Sequence, residues 1–376
     1  MEMKKTLLLA AIYGSMMGAL SLALPLFLDA QGYSIASIGW IFGAAVLISG
    51  LLGIGLGALS DKFGRKPLIA LYNLLTVAAT AIIAGVGGAY AFIAGKSLGN
   101  FASAGLWNAL LSRMSDISKK NERALYFGKY LGVFALSFAL VQLLAGEVVE
   151  RFGFTFLFIA VIVVALLGVA VTLLFNEVGR RRETHHFSLE VLKSRNGKVH
   201  ALASFMNGIG TSAVYSYVLY IFLAERYLFS PAQIGLFIAA TFSLWGIASY
   251  FTGKFVDRLG MRQSYLYGGL INGACWLGAA AFLGDFWLFF AFIALENFTF
   301  PLMNLAGTKL ASVIPKEENV GRDISVFGYA HSLGVLVSVS LAGMIAEIDY
   351  AYVFLGRAGA FIIAGLVVWY GITLRD

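Results

Sequence analysis

Charged positions are sparse along this chain, and the stretches between them are almost wholly apolar. Charge-free runs cover 6–28, 30–60, 67–95, 97–112, 130–146, 152–176, 201–224, 227–253, 263–284, 324–346 and 358–374. A helix crossing the hydrocarbon core of a bilayer takes about 20 apolar residues, because its backbone must satisfy its own hydrogen bonds there. Single ionisable residues interrupt three further candidates, Lys96 in 88–112, Glu296 in 286–308 and Arg357 in 350–374. Trimmed at turns, the pattern predicts twelve helices: 6–28, 36–58, 67–86, 88–112, 125–148, 153–175, 200–223, 231–254, 263–283, 285–311, 323–346 and 350–374. The one long charged stretch, 176–199, divides an N-terminal half (1–175) from a C-terminal half (200–376). It reads as a cytoplasmic connector, in which Phe187, Val191 and Leu192 could mark a short amphipathic helix.

Composition narrows the class to an all-α integral membrane protein. Hydrophobic residues make up 60% and charged residues 12% of the 376, against about 25% charged in a soluble domain. Mean hydropathy is +0.83. The twelve helices consume most of the chain and leave no soluble catalytic domain. The single Cys275 excludes an internal disulfide, four scattered His argue against a zinc site, and His185–His186 is too short a pair for a metal. No phosphate-binding loop and no nucleophile–base constellation is present, so neither an ATP-driven pump nor an intramembrane enzyme is expected, and no cofactor. Asn297-Phe-Thr299 fits a glycosylation sequon but lies within a span. The N-terminal apolar run is longer than a signal peptide's and precedes no small-residue cleavage site, so it is read as a retained first helix.

Charge then sets the expected orientation. With both termini cytoplasmic, the inner segments hold 23 of the 27 Lys and Arg, while Arg151 and Arg226 lie outside and Lys96 and Arg357 within spans. That asymmetry is the positive-inside pattern of a cell-membrane protein. The net charge of +7 follows from it and suits an anionic inner leaflet rather than nucleic acid.

The chain also repeats itself. An offset of 196 residues aligns Ser34, Ile38 and Gly39 with Ser230, Ile234 and Gly235, and Gly57, Asp61 and Gly64 with Gly253, Asp257 and Gly260. Lys62 falls on Arg258 and Lys66 on Arg262; at 197, Gly146 and Glu150 fall on Gly343 and Glu347. Each half is therefore a version of the other in the same topology.

The loop Gly57-Ala-Leu-Ser-Asp61-Lys62-Phe-Gly64-Arg65-Lys66 closely resembles the signature loop of the major facilitator superfamily. Gly253-Lys-Phe-Val-Asp257-Arg258-Leu-Gly260-Met-Arg262 looks like its degenerate second copy. The resemblance covers the whole chain and implies two pseudo-symmetric six-helix bundles around a central cavity that opens alternately to each side. Gly57 suits a close approach of the second and eleventh helices, Gly64 a tight turn, and Asp61 the N-terminal end of the eleventh helix. By the resemblance, Arg65 pairs with Asp116, and the cluster latches the outward-facing state. The Gly-Pro signature that many family antiporters carry in the fifth helix is absent, and the family's basic position on the fourth helix is filled by Lys96 rather than Arg.

Ionisable groups inside a span are costly, so Glu296, Lys96 and His331 are candidate coupling groups. Lys96, Asn100, Ser103 and Trp107 form one stripe on the fourth helix. Glu296 takes the corresponding place in the second half, followed by Asn297, Pro301 and Asn304. Both are expected to face the cavity. Desolvation favours the neutral form of a carboxyl, which makes Glu296 a candidate proton carrier. By family resemblance Tyr13 and Met17 on the first helix and Asn207, Thr211 and Tyr215 on the seventh are candidate cavity residues, with Gln142 on the fifth. Arg357 and Lys129 are expected to be anchors near helix ends.

These residues imply a monomeric secondary transporter of a small organic solute. Without an arginine cluster, phosphorylated substrates are disfavoured, and a neutral or weakly charged amphiphile is expected. Proton-coupled export is the first reading. A sugar or organic-anion uptake carrier, or a lipid flippase on the same fold, are the alternatives.

Overall fold

The computed structural model describes residues 2–53, 63–118, 123–174, 176, 188–315 and 320–373. Its helices are α1 (Glu2–Ala30), α2 (Ile35–Gly53), α3 (Arg65–Gly85) and α4 (Ala89–Ile117). The helix Arg123–Leu173 is broken at Gly153, whose φ of 81° and ψ of 171° are not helical, giving α5 (123–152) and α6 (154–173). Arg195–Ala213, a π turn Val214–Val218 and Leu219–Arg226 run on as one helix, α7 (195–226). There follow α8 (Pro231–Leu259), α9 (Met261–Ala281), α10 (Phe286–Val313), α11 (Val320–Ile348) and α12 (Tyr350–Gly371). Eight stretches are long and apolar enough to cross a membrane, one of them, Gly128–Leu173, holding both α5 and α6. α4, α7 and α9 fall outside that set. α4 and α7 carry polar stripes that line pockets.

Local chemistry sets the boundaries. Asp285 and Asp349 cap α10 and α12 by accepting from Trp287 and Leu288 N–H, and from Ala351 N–H. Ser230 and Gln233 cap α8 reciprocally: Ser230 N–H donates to Gln233 at 2.9 Å, and Gln233 N–H to the Ser230 hydroxyl at 3.4 Å. Gly64 and Gly260 precede α3 and α9 at φ 89° and 86° with ψ 167° and 156°, a region that only glycine occupies readily. These two residues are one repeat apart.

The repeat extends to packing. α1 lies against α5 as α7 lies against α11, α3 against α4 as α9 against α10, and α3 against α6 as α9 against α12. Glycines make these approaches close. A Cβ at Gly14 or Gly18 would stand 2.5 and 2.6 Å from the carbonyl oxygens of Phe134 and Phe138, and one at Gly269 2.6 Å from that of Phe361. With no hydrophobic force between helices in lipid, such backbone approach is what dispersion needs.

Two compact units divide the chain, one comprising 1–33, 41–185 and 223–239, the other 34–40, 186–222 and 240–376. In the first unit, Gly146 of α5 leaves no room for a Cβ against Pro231, and the Glu150 carboxylate accepts from Ala232 N–H at 3.2 Å. In the second, Gly343 of α11 abuts Ile35 in the same way, and Glu347 accepts from Ala36 N–H at 3.3 Å. The carboxylates thus satisfy orphan amides at the starts of α8 and α2. Within the described residues, α2 and α11 approach closely at Gly39 and Gly343; the approach expected at Gly57 falls outside the described residues, as do Asp61 and Lys62. Of the connector, residues 190–193 form a 3-10 turn whose Val191 is buried against Val326 and Phe327; Phe187, His185 and His186 lie outside the described residues.

Candidate functional site

The second unit holds a buried ionic network. The π turn widens α7 by one residue, and Tyr215 lies within it. The Tyr215 hydroxyl donates to Glu296 Oε2 at 2.9 Å and accepts from Asn297 Nδ2 at 2.7 Å. Asn297 also donates to the carbonyl of Ile293. Arg357 of α12 donates from Nη2 to Glu296 Oε1 at 2.9 Å. Its guanidinium is packed 4.5–4.9 Å from the ring centres of Tyr215, Trp276 and Phe361. Glu296 and Arg357 are 1% and 3% exposed, so neither charge has solvent for company. A buried pair of this kind holds only through good geometry and further hydrogen bonds. Tyr215 and Asn297 supply these to Glu296, whereas Arg357 Nε and Nη1 have no hydrogen-bond partner among the described residues.

This corrects one expectation. Arg357 is no anchor at a helix end; it is the counter-charge of Glu296, because α12 brings it beside α10 across 61 residues of sequence. A lone arginine in an apolar span was the signal, being as costly there as Glu296.

Below this network a cavity of about 490 Å³ opens toward the end of the unit where α9 and α11 begin. Two stripes face into it. His200, Ser204, Asn207 and Thr211 descend α7, and Phe300, Asn304, Gly307 and Thr308 descend α10. Tyr215 and Glu296 stand one turn above Thr211 and Phe300, so the same stripes lead to the ion pair. Tyr265, Phe327 and His331 complete the wall. His200 packs edge-on against Phe327 at 4.6 Å, and its Nδ1 is buried with no hydrogen-bond partner among the described residues. Among the described residues no Lys, Arg, Asp or Glu lines this cavity; amides, hydroxyls, imidazoles and aromatic rings do. His200, Ser204, Tyr265 and Thr308 were not singled out from sequence, although the first two extend the Asn207–Thr211–Tyr215 stripe at helical spacing.

The first unit has its own pocket, of about 50 Å³, between α1, α3 and α4. Tyr13, Met17, Lys96 and Asn100 line it. Tyr13 shares a hydrogen bond of 2.8 Å with Ser103, whose hydroxyl also reaches the Met17 sulfur at 3.2 Å. Trp107 lies against Tyr13, Tyr130 and Phe134. Gln142 is buried where α5 meets α8 beside Gly235. Lys96 and Glu296 belong to different units, and the ammonium of Lys96 sits 4.6 Å over the Phe42 ring.

At the signature loop, Arg65 Nε donates to Asp116 Oδ2 at 3.2 Å and Lys66 to the carbonyl of Leu173 at 2.9 Å. In the second copy, Asp257 pairs with Lys309 at 2.7 Å, and Arg262 donates to the carbonyl of Trp369 at 2.7 Å. Gly253 lies within α8 and Arg258 in its last turn. Arg113, counted in sequence as an inner-loop charge, is fully buried, bonded to Glu2, Thr6 and the carbonyl of Asn176. No group of three or more metal-ligating side chains occurs among the described residues.

Comparison with known proteins covers the whole of this architecture. The Major Facilitator Superfamily profile matches residues 6–195 and 201–376. The inner membrane transport protein YajR of Escherichia coli (strain K12) is 27% identical over 363 residues, 90% of this chain and 75% of that protein. Multidrug resistance protein 2 of Bacillus subtilis (strain 168) is 25% identical over 373 residues, 92% of this chain and 89% of that protein. The fold matches the crystal structure of the nucleoside transporter NupG with a TM-score of 0.82 at 12% identity, over 99% of this chain and 100% of that one. It matches a D-xylose-proton symporter at 0.79 and 15% identity, over 98% and 97%.

Proposed function

Since the chain belongs to the major facilitator superfamily and is an integral membrane transporter, we propose that it exports a small amphiphilic organic solute in exchange for protons, with Glu296 as the proton site. Glu296 carries this reading: it is a buried carboxylate that ties three helices together at the head of a polar cavity. A proton taken up on a Glu296 oxygen removes the charge that Arg357 neutralises. Tyr215 on α7, Glu296 and Asn297 on α10 and Arg357 on α12 are then no longer held by one anion. Losing that tie lets α7 and α12 shift relative to α10, and the arrangement resets when the proton leaves. Alternating access follows if solute and proton favour opposite arrangements.

The relative named for multidrug resistance supports export, and the aromatic shell around Arg357 suits an amphiphile. The reading includes a monomer in the cell membrane with both termini cytoplasmic, supported by the positive-inside pattern and by the E. coli relative's inner-membrane description. A second reading, uptake of a neutral polyhydroxylated solute, is favoured by the amide and hydroxyl groups of the larger cavity.

The test is solute flux into proteoliposomes under an imposed pH gradient. Glu296→Gln should abolish pH-driven flux while the variant still binds solute; unchanged flux overturns the coupling role. Thermal stabilisation by lipophilic cations supports the first reading, and stabilisation by sugars alone the second. A ligand at 100 times its Kd adds about 2.7 kcal/mol, a visible shift.

A further inference from the structure

The pocket between α1, α3 and α4 presents a cation that no described residue neutralises. Of its sixteen lining residues, Lys96 is the only Lys, Arg, Asp or Glu, and Tyr13 the only other ionisable group. Lys96 has no hydrogen bond and no ion pair among the described residues; its one polar interaction is with the face of Phe42, 4.6 Å away. A ring face covers one side of an ammonium and leaves its other N–H groups undirected. An unpaired charge within a bilayer span is among the most costly arrangements a membrane protein can hold.

The hydroxyls of this pocket do not supply a counter-charge, and most have no proton to offer. Thr76 and Thr80 donate to the backbone carbonyls of Tyr72 and Thr76, and Ser21 to that of Met17. Ser103 and Tyr13 are engaged with one another. One further donor is uncommitted: Asn100, one helical turn beyond Lys96 on the same face of α4, has no hydrogen-bond partner among the described residues and lines the same pocket. Met16, Leu20, Leu24, Ile83 and Leu106 form the remaining wall, which is apolar.

We infer that this pocket is a binding site for a small monovalent anion, held by the Lys96 ammonium and the Asn100 amide. Its volume of about 50 Å³, against the roughly 10–15 Å³ that one water needs on this measure, holds a halide with two or three waters or a short carboxylate. The apolar wall excludes multiply charged anions, since it offers them no second cation. The site is separate from Glu296 and goes beyond the coupling role proposed above.

The test is thermal unfolding of the full-length protein in detergent at fixed pH and ionic strength, with gluconate replaced stepwise by chloride, acetate or propionate. The wild type should gain melting temperature saturably with one of these ions. Lys96→Met should lose the dependence, and Asn100→Ala should need at least tenfold more anion. Glu296→Gln should keep it, which separates this site from the coupling site. Saturation by chloride alone assigns an inorganic ion, and by carboxylates alone an organic acid. Were Lys96→Met not to fold, Asn100→Ala would carry the test by itself. A wild type with no saturable anion dependence, or variants at Lys96 and Asn100 that retain it in full, would overturn the site.

Discussion

Arg357 Nη2 lies 2.9 Å from Glu296 Oε1, with both side chains at most 3% exposed. Neither residue is stable there without the other, because each would be a bare charge in a dry bundle. Arg357→Ala should therefore destabilise the protein by about 3–5 kcal/mol. The double variant Glu296→Gln, Arg357→Met should recover much of that loss without recovering pH-driven flux. Chemical or thermal unfolding of the four proteins of this cycle measures the first effect, and flux the second.

Gly64 and Gly260 adopt backbone angles that side chains with a Cβ avoid. Gly64→Ala and Gly260→Ala should each cost about 1–3 kcal/mol. Gly50→Ala, at a position with nothing near its Cβ and within a helix, should be neutral or slightly stabilising. Melting temperatures of the three variants make the comparison.

Glu150 and Glu347 each accept a backbone N–H at the first turn of a helix from the other half of the sequence. Both are exposed, so Glu150→Gln and Glu347→Gln should each lose only about 0.3–1 kcal/mol. Gly146→Val and Gly343→Val should act far more strongly, since each new side chain meets the backbone of Pro231 or Ile35. The expected readout is an increase in labelling of cysteines introduced at Ala232 or Ala36, where the glycine variants loosen the packing and the glutamine variants barely do.

Arg113 ties the start of α1 to α4 through Glu2 and Thr6. Arg113→Ala should destabilise by about 3 kcal/mol or more, leaving Glu2 without its buried partner. Glu2→Gln should cost less, because Glu2 is partly exposed, at 22%. Limited proteolysis near the N-terminus, compared between the two variants, checks the order.

The helices, their number and the internal repeat were determined by the sequence alone. Lipid imposes a length and an apolar composition on every span, and both can be counted without knowing what touches what. The positive-φ glycines Gly64 and Gly260 were legible for a similar reason: a tight turn is a local event, and the repeat marks it twice. Tertiary structure alone decided the partners. Glu296 stood out as a charge in a span, but Arg357, 61 residues away, became its counter-ion only through the packing of α12 on α9 beside α10. The π turn that presents Tyr215 and the neighbours that leave Lys96 unpaired have no periodicity to reveal them. Pair energies in a low-dielectric interior depend on distances of a few ångströms, and a sequence records composition and spacing but not those distances.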